Sequence, residues 1–318
     1  SQVSTACDFF GQASSAPLAV APTGFASLMW LDGEIASARA AAKAGIPFAL
    51  STGSITPMEK VREASDGRLW LQLYVWPQRD MTRELILRAE KAGYEALIVT
   101  VDTPAAPFRP YNMRNGFSIP FRLQRRNILD ILQHPRWLYN VVFRRWLRSG
   151  AMVAENYPAA LRVPVGKAAV GKFNLPFSDD VSWDEVRDIR RLWKGPLILK
   201  GIMHPDDAAA AVEAGVDGII VSNHGGRNLD SSIAPIRILP EIADRVGSRT
   251  TILLDSGIMR GADVAKAIAL GAKGVLVGKA SLFGVGAAGE AGAYRAFELL
   301  IQELSRVMTF SGAADLSH

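Results

Sequence analysis

The sequence is poor in cysteine, since Cys7 is the only one among 318 residues. A single cysteine excludes an internal disulfide bond and is typical of proteins kept in a reducing compartment. The chain also lacks an apolar run of the roughly 18 residues that a membrane-spanning helix needs. Its first residues do not show the basic and then apolar order of a secretory signal. These absences predict a cytoplasmic protein that does not span a membrane.

A large excess of charge of either sign is also absent. The chain has 36 Lys and Arg residues against 31 Asp and Glu residues, which leaves a net charge of +5. Because the two signs are interspersed, they indicate a mixed surface and no nucleic-acid partner. The segment 122–148 is the exception, because it combines basic and aromatic side chains around a single acidic residue. Its arginines are Arg122, Arg125, Arg126, Arg136, Arg144, Arg145 and Arg148, and its aromatic residues include Trp137, Tyr139, Phe143 and Trp146.

Short apolar runs rich in β-forming residues alternate with segments of helical composition. Eight such runs can be counted, and this alternation is typical of a parallel sheet. With 49% hydrophobic residues, a chain of this length can bury one large core. We therefore predict one α/β domain over 1–318, a (β/α)8 TIM barrel. The predicted strands are 18–23, 48–52, 69–75, 96–102, 197–201, 218–224, 251–257 and 274–279.

The segments between these strands have helical composition, and several end at a glycine that suits a left-handed helix terminus. Examples are 33–44, 82–92, 205–214 and 262–270. The regular spacing fails once, because about 80 residues separate Asp102 from the helix predicted near Ser182. A βα loop needs far fewer residues, so we predict that 103–181 is an insertion after the fourth strand.

A barrel of this kind builds its active site at the C-terminal ends of its strands, where this sequence has its unusual polar residues. The sixth predicted strand leads into Ser222-Asn223-His224-Gly225-Gly226-Arg227. The paired glycines let a ligand approach the backbone, and Arg227 offers a planar fork suited to a carboxylate. A base and a carboxylate clamp in one loop predict a site for an anionic acid that loses a proton.

Three side chains near other strand ends extend this site. Asp102 could cross the mouth of the barrel to fix the tautomer of His224 and stabilise its imidazolium, with a helix N-cap as the alternative. Arg109 is a candidate second ligand for a carboxylate. Lys200 lies in an apolar strand, where an unpaired ammonium is costly, so an anionic group must face it. A reduced flavin meets that requirement.

Glycines and cations follow the seventh and eighth strands. Asp255-Ser256-Gly257 leads to Arg260, and Gly278 precedes Lys279. Barrels often build a phosphate site from these two loops, which predicts a ligand that carries a phosphate. We predict no metal site.

Together these residues resemble the FMN-dependent L-2-hydroxy acid dehydrogenase and oxidase family. The most specific part is Ser-Asn-His-Gly-Gly-Arg-x-Leu-Asp at 222–230, and 72–75, 100–102 and 269–272 support it in order. The resemblance runs from about residue 17 to about residue 288. It implies that the protein oxidises an L-2-hydroxy acid to the 2-oxo acid with FMN as cofactor.

The resemblance also implies a role for each matching residue. His224 would be the base or hydride-transfer partner, and Asp102 its companion. Arg109 and Arg227 would hold the substrate carboxylate, while Tyr74 would bond the hydroxyl side of the substrate. The FMN contacts would come from Pro22, Thr23, Gly24, Ser51, Gln72, Thr100, Lys200, Ser222, Asp255, Ser256, Gly257, Arg260, Gly278 and Lys279.

The sequence departs from the family's pattern in the phosphate loops and at its start. Met259 and Lys279 stand where the family usually has arginine, so weak retention of FMN is expected. The family also carries several tens of residues, with a tyrosine that contacts the substrate, before the point where this sequence starts. We therefore expect the sequence to be truncated.

Two glycines bear on the choice of substrate. Gly24 stands where oxidases of the family tend to carry alanine, and it resembles the membrane-linked mandelate and lactate dehydrogenases. Gly53 stands where short-chain oxidases place a bulky aromatic residue, and it leaves room for a phenyl ring; a simple turn glycine is the alternative. These positions favour a mandelate-like or lactate-like 2-hydroxy acid, with mandelate first.

The segment 122–148 resembles the membrane-contacting loop of the same dehydrogenases. Arginines facing anionic headgroups, with Trp and Phe at the acyl boundary, form an interfacial anchor; an amphipathic helix packed on the barrel is the alternative. The resemblance further implies a peripheral location on the inner face of the cell membrane, a quinone or other membrane acceptor, and a homotetramer. The remaining alternatives are an oxidase that makes hydrogen peroxide from O2, a flavin-free phosphate-binding isomerase or lyase, and an inactive binding module.

Overall fold

A computed structural model describes residues 3–105, 109–117, 124–149, 152–158, 161–162 and 181–317. Two short strands, β1 (Cys7–Phe9) and β2 (Gln12–Ser14), form an antiparallel hairpin. Eight parallel strands then close a barrel in chain order, which confirms the predicted (β/α)8 fold class. These are β3 (Leu18–Val20), β4 (Phe48–Ser51), β5 (Leu69–Leu73), β6 (Ala96–Thr100), β7 (Leu197–Ile202), β8 (Gly218–Val221), β9 (Thr251–Leu254) and β10 (Gly274–Val277).

The hairpin closes the N-terminal end of the barrel. Phe9 and Phe10 meet the ring of Trp70 edge-on, with centroid distances of 6.0 and 5.9 Å. Glycine is needed beside them, because a Cβ on Gly274 would lie 2.5 Å from Phe9 and one on Gly218 would lie 2.8 Å from Phe10. The predicted strands did not include this hairpin. Strands of three residues are too short for a sequence pattern to reveal.

The inside of the barrel changes from apolar to polar along each strand. Side chains alternate between the two faces of a strand, so residues two apart share the inner face. A cluster of buried apolar side chains fills the middle of the barrel. On five strands, a polar residue follows two positions later, toward the C-terminal end. The successive pairs are Trp70 and Gln72, Ile98 and Thr100, Ile198 and Lys200, Ile220 and Ser222, and Leu253 and Asp255.

A second apolar core lies between the strands and the surrounding helices. The helix α1 has the predicted bounds, and α8 begins after Ser182, whose side chain forms a capping box with Glu185. No helix in the described part of the chain combines the length and apolar character needed to cross a membrane. The helices are α1 (Gly33–Ala44), α2 (Met58–Ala64), α3 (Arg79–Lys91), α4 (Pro110–Arg114), α5 (Arg125–Leu132), α6 (Pro135–Trp137), α7 (Arg144–Ser149), α8 (Trp183–Leu192), α9 (Pro205–Glu213), α10 (Pro235–Val246), α11 (Gly261–Ala269) and α12 (Lys279–Ser311).

Seven of the eight predicted barrel strands extend too far at their C-terminal ends. The polar residues that ended those predictions, such as Asp102 and His224, belong to the loops that follow β6 and β8. Backbone pairing stops where the chain turns to present these side chains over the mouth of the barrel. The strand β7 instead runs one residue further than predicted, to Ile202, after a register shift between Lys200 and Ile202.

The segment between β6 and α8 contains α4 to α7 and a π-helical turn, Leu138–Phe143. Asn156 attaches it to the loop after β4 and is fully buried. Its amide nitrogen donates to Ser54 Oγ and to the carbonyl of Thr56, and its amide oxygen accepts from the N–H of Met58, each over 2.8 Å. This part of the segment therefore packs on a loop at the mouth of the barrel.

Candidate active site

The uppermost inner layer of the barrel is a connected set of polar side chains. Gln72 Oε1 accepts from Ser51 Oγ over 3.1 Å, and its Nε2 donates to Thr100 Oγ1 over 3.0 Å. Strand register pairs Ser51 with Gln72 and Thr100 with Lys200. Gln72 itself pairs with Ile98, and its hydrogen bond to Thr100 is what joins the two pairs. The polar residues predicted at these strand ends thus form one continuous surface across β4 to β7.

Two of the predicted catalytic residues meet directly. His224 Nδ1 lies 2.9 Å from Asp102 Oδ1 and 3.1 Å from its Oδ2. The carboxylate is nearly buried, with 10% of the side chain exposed, and the imidazole is 23% exposed. Because Asp102 engages Nδ1, Nε2 is the ring nitrogen left for a substrate, which is the arrangement of a carboxylate-oriented base.

A left-handed turn after β8 aims His224. His224 has φ +58°, and Gly225 and Gly226 follow at +70° and +69°. The His224 N–H donates to Ser222 Oγ over 3.1 Å, and the Gly225 N–H donates to Ser256 Oγ over 2.9 Å. Left-handed backbone is costly for a histidine, and glycine is the residue that tolerates it. One hydrogen bond within this loop, to Ser222, and one to the loop after β9, through Ser256, therefore hold the strained turn in place.

Lys200 is buried below this turn and contacts two carboxylates of the protein, Asp255 and Asp102. Its ammonium lies 3.4 Å from Asp255 Oδ2 and 3.6 Å from Asp102 Oδ2, and it donates to Ser222 Oγ over 3.0 Å. Burial lowers the pKa of Lys200, but Asp255 and Asp102 outweigh it, so the pKa is raised overall. The amine is thus held as a cation at the level of the polar layer.

The same contacts keep Asp102 ionised. Burial raises the pKa of this carboxyl, but Lys200 and the hydrogen bond from His224 outweigh it and lower the pKa overall. Gly201 gives Asp102 its space, because a Cβ on Gly201 would lie 2.5 Å from Asp102 Cβ. Gly201 has φ +106° at the register shift in β7. Sequence reasoning treated this glycine only as a strand residue and missed its role.

The two predicted carboxylate ligands lie in loops that touch. Arg109 Nε donates to the backbone carbonyl of Arg227 over 3.1 Å. Burial and the charge of Arg227 lower the pKa of Arg109. Tyr74 lies nearby, and burial raises the pKa of its phenol, with Asp102 adding to the rise and Lys200 opposing it. Two guanidinium groups close enough to repel each other are suited to share an anion.

The glycines predicted to shape the substrate pocket face each other. A Cβ on Gly53 would lie 3.9 Å from Gly24 Cα and 3.6 Å from Ser51 Oγ, and a Cβ on Gly24 would lie 3.5 Å from the Gly53 carbonyl oxygen. These are ordinary contacts, and neither glycine has a positive φ. The backbone therefore does not require glycine at either position, and their effect is to leave space at the mouth.

The predicted phosphate loops are arranged differently from one another. Arg260 is bound by Glu303 of α12, with Nε 2.9 Å from Oε1, and the other oxygen of Glu303 accepts from the Gly261 N–H over 2.9 Å. Arg260 therefore already uses two of its three nitrogens, Nε and Nη2, in an ion pair with α12. Lys279, in contrast, is exposed at the start of α12, and its ammonium has no ion pair among the described residues.

Sequence reasoning also missed Asn228, the unspecified position of the motif at 222–230. Asn228 Nδ2 donates to the Asp102 carbonyl over 2.7 Å and to Thr103 Oγ1 over 3.0 Å. Nothing in the sequence marks it, because an asparagine in a glycine-rich loop is an ordinary turn residue.

The residues present fit the flavin that the resemblance implies. Lys200 is a buried cation at the polar layer, beside the hydroxyl of Ser222. It pairs in register with Thr100, which binds the amide of Gln72. These donors suit the polar edge of the ring. Open space exists for the phosphate end, because no atom of the described residues lies within 4 Å of a Cβ on Gly257. A Cβ on Gly278 would make ordinary contacts with Ala21 and Thr23, at 3.7 and 3.8 Å. Pro22 and Thr23 are half-buried at the same rim.

Known proteins resemble the chain over its whole length. A family model for FMN-dependent dehydrogenases matches residues 1–318. The chain is 43% identical over 319 residues to a putative L-lactate dehydrogenase of Mycobacterium tuberculosis, a match that covers 99% of this chain and 74% of the relative. It is 40% identical over 319 residues to the L-lactate dehydrogenase of Pectobacterium atrosepticum, with coverage of 100% and 81%.

Solved structures give the same result. The monotopic membrane protein (S)-mandelate dehydrogenase superposes with a TM-score of 0.91 at 35% identity, covering 99% of this chain and 82% of its own. A mandelate oxidase superposes with a TM-score of 0.81 at 35% identity, covering 100% and 80%. FMN as cofactor and oxidoreductase chemistry are thereby confirmed, and the flavin-free alternative is set aside. The chain belongs to the family of FMN-dependent dehydrogenases.

Proposed function

We propose that this protein oxidises an L-2-hydroxy acid to the corresponding 2-oxo acid. The observation that carries the proposal is the pair of guanidinium groups beside a carboxylate-oriented histidine. Arg109 and Arg227 lie close enough for the charge of Arg227 to lower the pKa of Arg109, and a substrate carboxylate would relieve that repulsion. His224, held by Asp102 over 2.9 Å, presents its Nε2 as the group that accepts a substrate proton.

The residues would divide the reaction between binding and proton transfer. The two arginines would hold the carboxylate of the substrate, and Tyr74 would bond its hydroxyl side. His224 would take up the proton released by oxidation, and Asp102 would stabilise the imidazolium that forms. Bound FMN supplies the acceptor for the two electrons, with Lys200 and Gln72 among the residues that would hold it.

The substrate favoured by the space at Gly24 and Gly53 is an aromatic acid, with mandelate first and lactate as the smaller alternative. Proteins named for each substrate lie among the relatives. We expect a higher kcat/KM for L-mandelate than for L-lactate. Gly53→Trp should lower kcat/KM for mandelate at least tenfold more than for lactate, because a bulky ring would occupy the space meant for phenyl. A wild-type preference for lactate, unchanged in this variant, would reject the aromatic substrate while leaving the reaction class intact.

We further propose that the protein attaches to the inner face of the cell membrane and passes its electrons to a quinone or another membrane acceptor. Tyr139, Phe143 and Trp146 form an aromatic ridge, with 58%, 45% and 64% of each residue exposed. Neighbouring rings stack, with centroids 5.8 and 6.4 Å apart. Stacked aromatic rings in water are costly, and they suit the boundary between headgroups and acyl chains.

The arginines of the segment 122–148 do not all point outward. Arg145 is buried and donates to the Ile55 carbonyl over 2.7 Å, so it serves packing and cannot reach a headgroup. Arg148 is exposed and lies 3.3 Å from Asp32. Arg122 lies outside the described residues. The segment therefore supports both predicted interpretations. One face packs on the barrel, as an amphipathic helix would, and the other carries the aromatic ridge, as an interfacial anchor would.

Membrane attachment can be tested by sedimentation with vesicles that contain phosphatidylglycerol. Phe143→Ser with Trp146→Ser should abolish co-sedimentation. Phe310→Ser is the matched control, because Phe310 is 91% exposed on α12 outside the segment and its loss should change nothing. Equal binding by wild type and the double variant would reject the ridge as an anchor. Light scattering of the wild-type protein without vesicles would test the predicted homotetramer.

The competing function is an oxidase that uses O2 and releases hydrogen peroxide, and the likeness to a mandelate oxidase supports it. After anaerobic reduction by mandelate, a dehydrogenase should be reoxidised by a short-chain quinone at least a hundredfold faster than by air-saturated buffer. Faster reoxidation by O2, with stoichiometric peroxide, would favour the oxidase.

A further inference from the structure

Asn228 joins the loop that carries His224 to the loop that carries Asp102. Its amide nitrogen donates to the Asp102 carbonyl over 2.7 Å and to Thr103 Oγ1 over 3.0 Å, and lies 3.4 Å from Asp102 Oδ1. Thr103 Oγ1 in turn donates to Asp102 Oδ1 over 3.2 Å. The carboxylate that orients His224 thus receives a chain of hydrogen bonds that begins at Asn228, four residues after the histidine itself.

The contacts of Asn228 are all donor contacts. Its amide oxygen is buried and has no hydrogen-bond partner among the described residues. A buried acceptor without a partner costs free energy, so packing alone does not account for an asparagine here. The reversed amide would place its oxygen against the Asp102 carbonyl oxygen, so the donating orientation is the one that the surroundings accept. The contribution of this amide is therefore made by its N–H groups, which donate to Asp102 and Thr103.

We propose that Asn228 is a positioning residue that sets the orientation of the Asp102 carboxylate and, through it, of the His224 imidazole. This inference rests on the proposed function, in which His224 exchanges a proton with the substrate. A base must lie within hydrogen-bond reach of the proton that it takes, and a misplacement of about 1 Å can reduce a rate about a hundredfold. Asn228 fixes the backbone of Asp102 and, through Thr103, one carboxylate oxygen.

The test uses the FMN-loaded wild-type protein and its Asn228→Ala, Asn228→Gln and Asn228→Asp variants. Asn228→Ala should lower kcat for mandelate or lactate about ten- to a hundredfold, with KM changed less than about threefold, since both arginines remain. Asn228→Gln keeps the donor and should restore at least a third of the rate. Asn115→Ala is the matched control, because Asn115 is exposed and its side chain bonds only the carbonyl of Tyr111 in α4 among the described residues; it should keep the wild-type rate.

The acid limb of the pH profile of kcat/KM distinguishes positioning from a merely structural role, because a structural role would leave its position unchanged. The alanine variant weakens the hold of Asp102 on an imidazolium, so its acid limb should move to lower pH. The aspartate variant adds a negative charge beside Asp102, so its acid limb should move to higher pH. The other charged or titratable neighbours, Lys200, Asp255 and Tyr74, are the same in every variant. Opposite shifts by these two variants would support positioning.

The outcomes separate this inference from the proposed function. Turnover by the wild type tests the function, and absence of turnover with any 2-hydroxy acid would overturn both. With an active wild type, Asn228→Ala activity within twofold and an unmoved acid limb would overturn the positioning role alone. If Asn228→Ala loses its flavin spectrum or fails to fold, Thr103→Val decides. That variant breaks the same chain from the other loop and must lower kcat at least fivefold for the inference to stand.

Discussion

Replacing Asp102 by asparagine removes one negative charge from the site and leaves the shape of the side chain almost unchanged. In the wild type this carboxylate lies 2.9 Å from His224 Nδ1 and 3.6 Å from Lys200 Nζ, with 10% of the side chain exposed. Two unit charges about 4 Å apart attract by about 4 kcal/mol at an effective dielectric constant of about 20. The imidazolium that forms during oxidation would lose stabilisation of that size.

A loss of about 1.4 kcal/mol corresponds to a tenfold lower rate, so Asp102→Asn should reduce the rate of the chemical step about a thousandfold. The measurement is anaerobic stopped-flow bleaching of the FMN absorbance by saturating substrate, which isolates that step from acceptor turnover. Asp255→Asn is the matched control. It also removes a carboxylate from Lys200, at 3.4 Å, but leaves the partner of His224 in place, so its loss should be at least tenfold smaller. If the Asp102→Asn protein binds FMN and its bleaching rate stays within tenfold of the wild-type rate, the proposed stabilisation of the imidazolium by Asp102 is refuted.

Three further predictions follow from contacts elsewhere in the structure. Asn156→Ala should destabilise the protein by about 3 kcal/mol, measured as a shift in the urea unfolding curve, because it leaves buried backbone groups of the loop after β4 without partners. Lys279→Gln should weaken FMN binding about tenfold and riboflavin binding less than twofold, measured by fluorescence titration of the apoprotein. Arg260→Gln should change neither affinity, because Glu303 already binds that guanidinium. Weaker FMN binding in the Arg260 variant alone would contradict this prediction. The pKa of Asp102 is lowered, so its contribution to stability is present above the ordinary aspartate value of about 4 and is lost as the pH falls through the lower folded value. The wild type should therefore lose stability more steeply than Asp102→Asn below about pH 4, and parallel melting curves would contradict that.

The barrel was predictable because its strands are short apolar runs with a polar residue where each run stops. Lys200 was identified in this way, and it pairs in register with Thr100, whose hydroxyl accepts a hydrogen bond from Gln72. The same polar residues made the predicted strands too long, since hydropathy does not reveal where backbone pairing ends. The N-terminal hairpin was missed because three residues are too few to show alternation.

The contacts that the sequence could not reveal join residues far apart in the chain. Arg260 lies in a glycine-rich loop suited to a phosphate, but its partner is Glu303, 43 positions later on α12. Arg145 belongs to a basic segment, but a carbonyl of the loop after β4 binds it in the interior. Composition describes a segment as a whole, whereas burial is decided for each side chain by what packs against it. Asn228 and Gly201 act through Asp102, which no local pattern indicates.

The charges at the mouth of the barrel suggest why the site is built around Lys200. Before proton transfer, the cluster of Lys200, Asp102 and Asp255 with a neutral His224 carries one excess negative charge. The two carboxylates are 10% exposed, so this charge is poorly solvated. A proton on His224 makes the cluster neutral, with two cations facing two anions. Within these four side chains, the negative charge is therefore unbalanced before proton transfer and balanced after it, which favours the proton on His224. Lys200 limits the imbalance, because without this cation the carboxylates of Asp102 and Asp255 would both lie nearly buried beside one histidine.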